Sequence, residues 1–170
     1  VLAVTGSLGA SRAGLALAVD GVADDGTPAS AEALRAFRTP EPRLAEGRWL
    51  GASRNVRAMM DVSDGLSTDL ARLARASNVG AVIETIPVAG AARAVAARAG
   101  TDAERWALDG GEDFELLIAV AARAFSHLAA RFRARFNRPL VRVGVATAEA
   151  GVRRADGSAV VSAGWDHLRA

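Results

Sequence analysis

The stretch AMMDVSDGLSTDL, residues 58–70, marks a handover between two patterns. Before it, VRAMMDV (56–62) reads as a strand. After it, Leu66, Leu70, Leu73 and Ala74 recur at helical spacing, and Asn78 to Gly80 end that helix. Two carboxylates sit at the junction. Ser63 or Asp64 could serve as an N-cap, its side-chain oxygen satisfying an orphan helix N–H. Asp61 is harder to explain by turn chemistry, because a carboxylate next to Ala-Met-Met costs desolvation. At the end of a strand in a parallel-type sheet it would face a ligand crevice. Two hard oxygen donors beside a serine and a helix N-terminus suit Mg²⁺ and a phosphate. They do not suit zinc, for which nitrogen and sulfur donors are missing.

Working outward, strands and helices alternate. VLAVTG is a short strand closed by Gly6, and SLGASRAGLALAV carries glycines and small residues into a helical run. Its spacing matches neither a Walker loop nor a dinucleotide fingerprint. Residues 21–30 read as a polar loop and a helix is expected from Ala31, broken at Pro40 and Pro42. LAEGRWLGAS reads as helix, GAVIETI as strand, and AARAVAARAG and DAERWAL as helices. In DGGEDFELLIAV, Gly110 and Gly111 make a turn, and Phe114, Leu116 and Ile118 alternate as one strand face. Residues 121–136 form an amphipathic helix with Phe125, Leu128, Phe132 and Phe136 on its apolar side. PLVRVGVAT is a strand, and GVRRADGSAVV a hairpin turning at Ala155–Ser158. The expectation is one α/β (α+β) domain over residues 1–170, a mixed sheet covered by helices.

Composition excludes several functions. Hydrophobic residues make up 51% of 170, enough for a substantial core. Without cysteine there is no disulfide, thiolate metal site or cysteine nucleophile, which fits a cytoplasmic protein. No apolar run reaches the ~20 residues of a membrane span, so no membrane partner is expected. The net charge is +2, and every basic residue is arginine. The densest basic segment, Arg131, Arg133, Arg135, Arg138 and Arg142, reads as a solvated helix face and its exit. A nucleic-acid binder would need a concentrated basic stripe with aromatics to stack on bases, and with this segment read as helix surface no nucleic-acid partner is expected. The acids Asp109, Glu112, Asp113 and Glu115 crowd one turn. They are either solvated hairpin acids or a site for a cationic ligand. In GWDHL, Trp165 is either a lid on the core or a stacking platform for an aromatic ligand.

Three motifs in order, MMDVSDGLSTDLARLARASNVGAVI, LDGGEDFELLIAV and terminal GWDHL, resemble the C-terminal half of thiamine-monophosphate kinase. VTGSLGASRAGLAL and RTPEPRLAEGRWL are similar to that family too, so the resemblance spans essentially the whole chain. It belongs to the wider aminoimidazole ribonucleotide synthetase-like superfamily. The resemblance implies the C-terminal domain fold of that superfamily. It implies transfer of the γ-phosphoryl of ATP to thiamine monophosphate, giving thiamine diphosphate and ADP, a step of thiamine diphosphate biosynthesis. By motif position, Asp61 and Asp64 would bind Mg²⁺, Ser63 would contact ATP, and Glu112 and Trp165 would contact thiamine monophosphate. No catalytic base is implied. The family's N-terminal ATP-binding domain, which carries most of the Mg²⁺ aspartates and ATP contacts, would precede Val1. This chain alone is therefore expected to be inactive, and the full-length protein a homodimer. Two other readings are a stand-alone non-catalytic domain and a superfamily member with a different ATP-dependent substrate. Leu168 stands where the family more often has phenylalanine.

Overall fold

The computed structural model describes residues 1–161. Strand β1 (Leu2–Val4) is three apolar residues, each at most 3% exposed. Alternation sends Leu2 and Val4 into one core cluster and Ala3 into another. A strand wrapped on both faces belongs inside a sheet, and β1 pairs antiparallel with both β4 (Glu115–Val120) and β5 (Val141–Thr147). With β2 (Val56–Val62), β3 (Gly80–Ile83) and β6 (Gly151–Arg154), the described strands make a six-stranded sheet in the order β2-β4-β1-β5-β3-β6.

One face of this sheet is covered by α4 (Leu66–Ala76) and α6 (Ala103–Asp109), whose Leu66, Leu70, Ala107 and Leu108 pack with Leu2, Val4, Val62, Ile83 and Leu117. Beyond it, α1 (Ala10–Ala18), α2 (Pro28–Arg38) and α5 (Gly90–Ala99) share an alanine-rich cluster around Val95 and Trp106. The close approach of α1 and α2 depends on Gly14: a Cβ there would lie 2.1 Å from the Ala33 carbonyl oxygen. The opposite face carries α3 (Leu44–Gly51) and α7 (Phe125–Phe136). There Trp49, Phe132 and Phe136 meet edge-on or tilted, with ring centroids 4.9–6.0 Å apart.

The expected α/β sheet with helices is present, with three corrections. β2 pairs antiparallel with β4, and the parallel pairing among the described strands is β3 with β6. The crevice rule for parallel-type sheets therefore does not account for Asp61. Helix α2 begins at Pro28 and not Ala31, because Thr27 caps it by accepting the Ser30 N–H at 3.3 Å and proline suits the first turn. The amphipathic helix starts one turn late, after a 3₁₀ turn at Ala122–Ala124. Arg131, Arg133 and Arg135 are exposed on this helix, as the solvated-face reading expects. Arg131 and Arg135 lie over Trp49 and Phe136, while Arg138 and Arg142 pair with Glu115 and Glu84. No helix among the described residues is long and apolar enough to cross a membrane.

Candidate functional site

The turn from β2 into α4 is shaped by Asp69. This carboxylate is fully buried, and its Oδ2 accepts the backbone N–H groups of Ser63 and Asp64, both at 2.9 Å. Neither Ser63 nor Asp64 is the N-cap; Gly65 is, with φ 103° and ψ 148°. That conformation is essentially reserved for glycine, and a Cβ would lie 2.9 Å from the Asp109 carbonyl. Burial pushes the Asp69 carboxyl above its ordinary range, opposed by the N–H groups of Asp64 and Ser63. Arg72 Nη1 reaches Asp69 Oδ1 at 3.0 Å and also pairs with Asp64. Asp61 is exposed, one residue before the strand ends, opposite Leu116 of β4.

The second acidic segment is stitched to this turn. The Glu112 N–H donates to the Ser63 carbonyl at 2.7 Å, and the Phe114 N–H to Val62 at 2.9 Å. Ser67 Oγ donates to Asp109 Oδ1 at 2.8 Å. Gly111 permits the Glu112–Ser63 bond, since a Cβ would lie 2.6 Å from the Ser63 carbonyl oxygen. The structure therefore brings Asp61, Ser63, Asp64 and Glu112 to one end of the β2–β4 pair. Trp165 lies outside the described residues.

The crowded acids divide into different roles. Glu112 is exposed. Asp109 holds Ser67. Asp113 turns toward the start of α1 and accepts the N–H of Gly9 at 2.7 Å and of Ser11 at 3.4 Å. Although the residue is only partly buried overall, burial of its carboxyl pushes the pKa up to about 7, against the lowering effect of the Gly9, Ser11 and Ala10 N–H groups. Glu115 is 4% exposed and neutralised from two directions. Arg43 meets it at 3.0 Å and Arg138 at 2.6 Å, and Thr5 Oγ1 donates to it at 2.6 Å. Gly6 makes room, because a Cβ there would lie 2.6 Å from Glu115 Oε1.

Sequence reasoning did not foresee the work of Asp69, Thr5, Arg43, Arg138 or Glu115. For Asp69 a signal existed: it stands beside Leu70 and three residues after Leu66, on the inward side of the apolar pattern it interrupts. For Arg43 and Arg138 none did, because their shared partner is remote in the chain.

Asp61 and Asp64 are hard oxygen donors and fit Mg²⁺ in kind. They fall short in number: among the described residues no group of three or more His, Cys, Asp or Glu is arranged to hold a metal ion. A cation here would take most of its oxygen shell from phosphate, water or other protein groups.

The pattern of the family described as "AIR synthase related protein, C-terminal domain" matches residues 1–156. The chain is 41% identical over 166 residues to thiamine-monophosphate kinase of Halobacterium salinarum, covering 96% of this chain and 51% of that protein. It superposes on the crystal structure of thiamine-monophosphate kinase from Stenotrophomonas maltophilia K279a with TM-score 0.82 and 32% identity, over 93% of this chain and 50% of that one. A structure of AaThiL complexed with AMPPCP and TMP gives TM-score 0.80 and 27% identity, over 98% of this chain and 50% of that one. The chain spans about half the length of these relatives.

Proposed function

Since this chain belongs to the AIR synthase related protein, C-terminal domain family, we propose that it is the substrate-side domain of an ATP-dependent thiamine-monophosphate kinase. One observation carries the reading furthest. The Glu112 N–H to Ser63 carbonyl bond, 2.7 Å, locks DVSDGL and GGEDFELL into a single surface. Both motifs lie within the residues 1–156 that match the family, and a phosphoryl transfer needs the nucleotide and its acceptor held side by side.

In this reading Ser63 contacts ATP, and Asp61 and Asp64 supply part of the Mg²⁺ shell. Arg72 already neutralises Asp64 and Asp69 and would share Asp64 with the ion. Bound Mg²⁺ would neutralise charge on the phosphates. The exposed Glu112 carboxylate would meet the cationic thiamine portion of thiamine monophosphate, and Trp165, outside the described residues, is the proposed contact to its rings. The acceptor is a phosphate oxygen, anionic at neutral pH. It attacks the γ-phosphorus in line, the bond to the bridging oxygen of ADP breaks, and thiamine diphosphate leaves. Such an acceptor needs positioning and charge neutralisation, not a base. The similarity to AaThiL complexed with AMPPCP and TMP supports both substrates. The relatives are about twice as long as this chain, and in this reading the remaining ATP contacts would come from a segment like the rest of theirs, in a cytoplasmic homodimer.

The test is product formation by mass spectrometry. Thiamine monophosphate, ATP and Mg²⁺ are mixed with this chain, and in parallel with the protein encoded by the uninterrupted gene. Thiamine diphosphate from the longer protein alone is the expected result. Its absence from both would overturn the kinase reading.

A further inference from the structure

Glu112 and Phe114 are both non-glycine residues at positive φ, 66° and 49°. Side chains rarely accept that conformation, and here two such residues flank a single aspartate. The loop is held in this shape from three sides. Gly110 passes so close to α6 that a Cβ would lie 2.3 Å from the Trp106 carbonyl oxygen. The Glu112 and Phe114 N–H groups are held by Ser63 and Val62. The third hold is Asp113, whose two carboxylate oxygens reach the N–H groups of Gly9 and Ser11. Gly9 itself has φ 89°, and a Cβ on it would lie 3.0 Å from the Ala107 nitrogen, so this turn cannot move toward α6 to follow a displaced loop.

These holds point the two neighbouring acids to different surroundings. Asp113 is drawn to the start of α1, and Glu112 is left exposed beside Ser63. We infer that Asp113 is a positioning residue for the phosphoryl acceptor: by anchoring the loop to the Gly9–Ser11 turn it fixes where the Glu112 carboxylate meets the substrate. This rests on the reading of Glu112 as the substrate contact given above. Asp113 touches no substrate itself, and on the nucleotide side of the surface Ser63 and Asp64 have a further hold of their own, from Asp69.

The experiment is a double-mutant cycle in the uninterrupted protein, using Glu112→Gln, Asp113→Asn, Asp113→Ala and the Glu112→Gln/Asp113→Asn pair. KM for thiamine monophosphate, KM for ATP and kcat are read for each. Asp113→Ala is expected to raise KM for thiamine monophosphate roughly 10- to 100-fold. Asp113→Asn keeps one acceptor oxygen but turns an amide donor toward the other N–H, so it should give an intermediate rise of roughly 5- to 10-fold and carries the cycle if the alanine variant does not fold. KM for ATP should stay within about threefold, well inside the tenfold that a 1.4 kcal/mol difference makes. In the pair, Asp113→Asn should add little to Glu112→Gln, because the carboxylate it positions is already gone. Independent effects, or equal shifts in both KM values, would overturn the positioning role while leaving Glu112 as a substrate contact. A Glu112→Gln variant with unchanged KM for thiamine monophosphate would instead overturn the reading of Glu112, and this inference with it.

Discussion

Asp69 and Asp113 do related work by different means. Each turns a buried carboxylate onto backbone N–H groups of a neighbouring loop, Asp69 onto Ser63 and Asp64, Asp113 onto Gly9 and Ser11. Removing Asp69 would leave two N–H groups without their acceptor, so Asp69→Ala should lower stability by about 3 kcal/mol in urea unfolding. Asp113 predicts a pH effect with a defined sign. Its folded pKa, about 7, lies above the ordinary 3.8, so the folded state holds the proton more tightly than the unfolded chain. The stability this contributes is fully present below pH ~4 and is lost as pH rises through ~7. One proton is worth at most about 1.4 kcal/mol per pH unit. Urea midpoints measured from pH 4 to 8 should therefore fall less steeply for Asp113→Asn than for the unaltered chain. Identical slopes would mean that Asp113 titrates normally.

At the scale of elements, the turns decide more than the helices. Gly65 and Gly90 both open helices, but only Gly65 has positive φ and a neighbour at 2.9 Å. Gly65→Ala should cost about 1–3 kcal/mol from backbone conformation alone. Gly90→Ala, with open space around it, should stabilise by about 0.5–1 kcal/mol. Thermal melts of the two variants should move in opposite directions. Much of this level was legible in the sequence. The apolar run at Val56–Val62 and the helical spacing from Leu66 located β2, α4 and the junction between them. What was missed depends on who lies opposite. A local pattern shows that a strand is half-buried but not the direction of its neighbour, so the antiparallel pairing of β2 with β4 was not visible. The N-cap was misplaced for a similar reason, since Asp69 supplies from inside the helix what a capping side chain supplies from in front of it.

At the scale of the molecule, Glu115 gathers distant segments: Thr5 after β1, Arg43 before α3 and Arg138 after α7. Breaking a buried ion pair on one side strands the other charges. Glu115→Ala should destabilise the fold by about 3–5 kcal/mol, read from the urea midpoint, even though Glu115 lies only three residues from the proposed substrate contact. A loss below about 1 kcal/mol, the median for exposed pairs, would mean that this cluster behaves as a surface pair. No sequence pattern announces such a cluster, because its members share neither a helix face nor a strand. The proposed site was legible to the extent that its residues sit in two short contiguous motifs, and obscure wherever a hold arrives from elsewhere.

The place of β1 has a consequence for how the chain comes together. Leu2 pairs with Ala119 on one side and Gly144 on the other, so the innermost strand is joined to partners that follow most of the chain. Loop-closure entropy is spent before those pairings form, which slows folding. During synthesis the Leu2–Val4 segment must wait, unpaired and apolar, until β4 and then β5 have left the ribosome. Helices α1, α2 and α5 all precede β4 in the chain, so their alanine-rich cluster can gather before β1 has either partner.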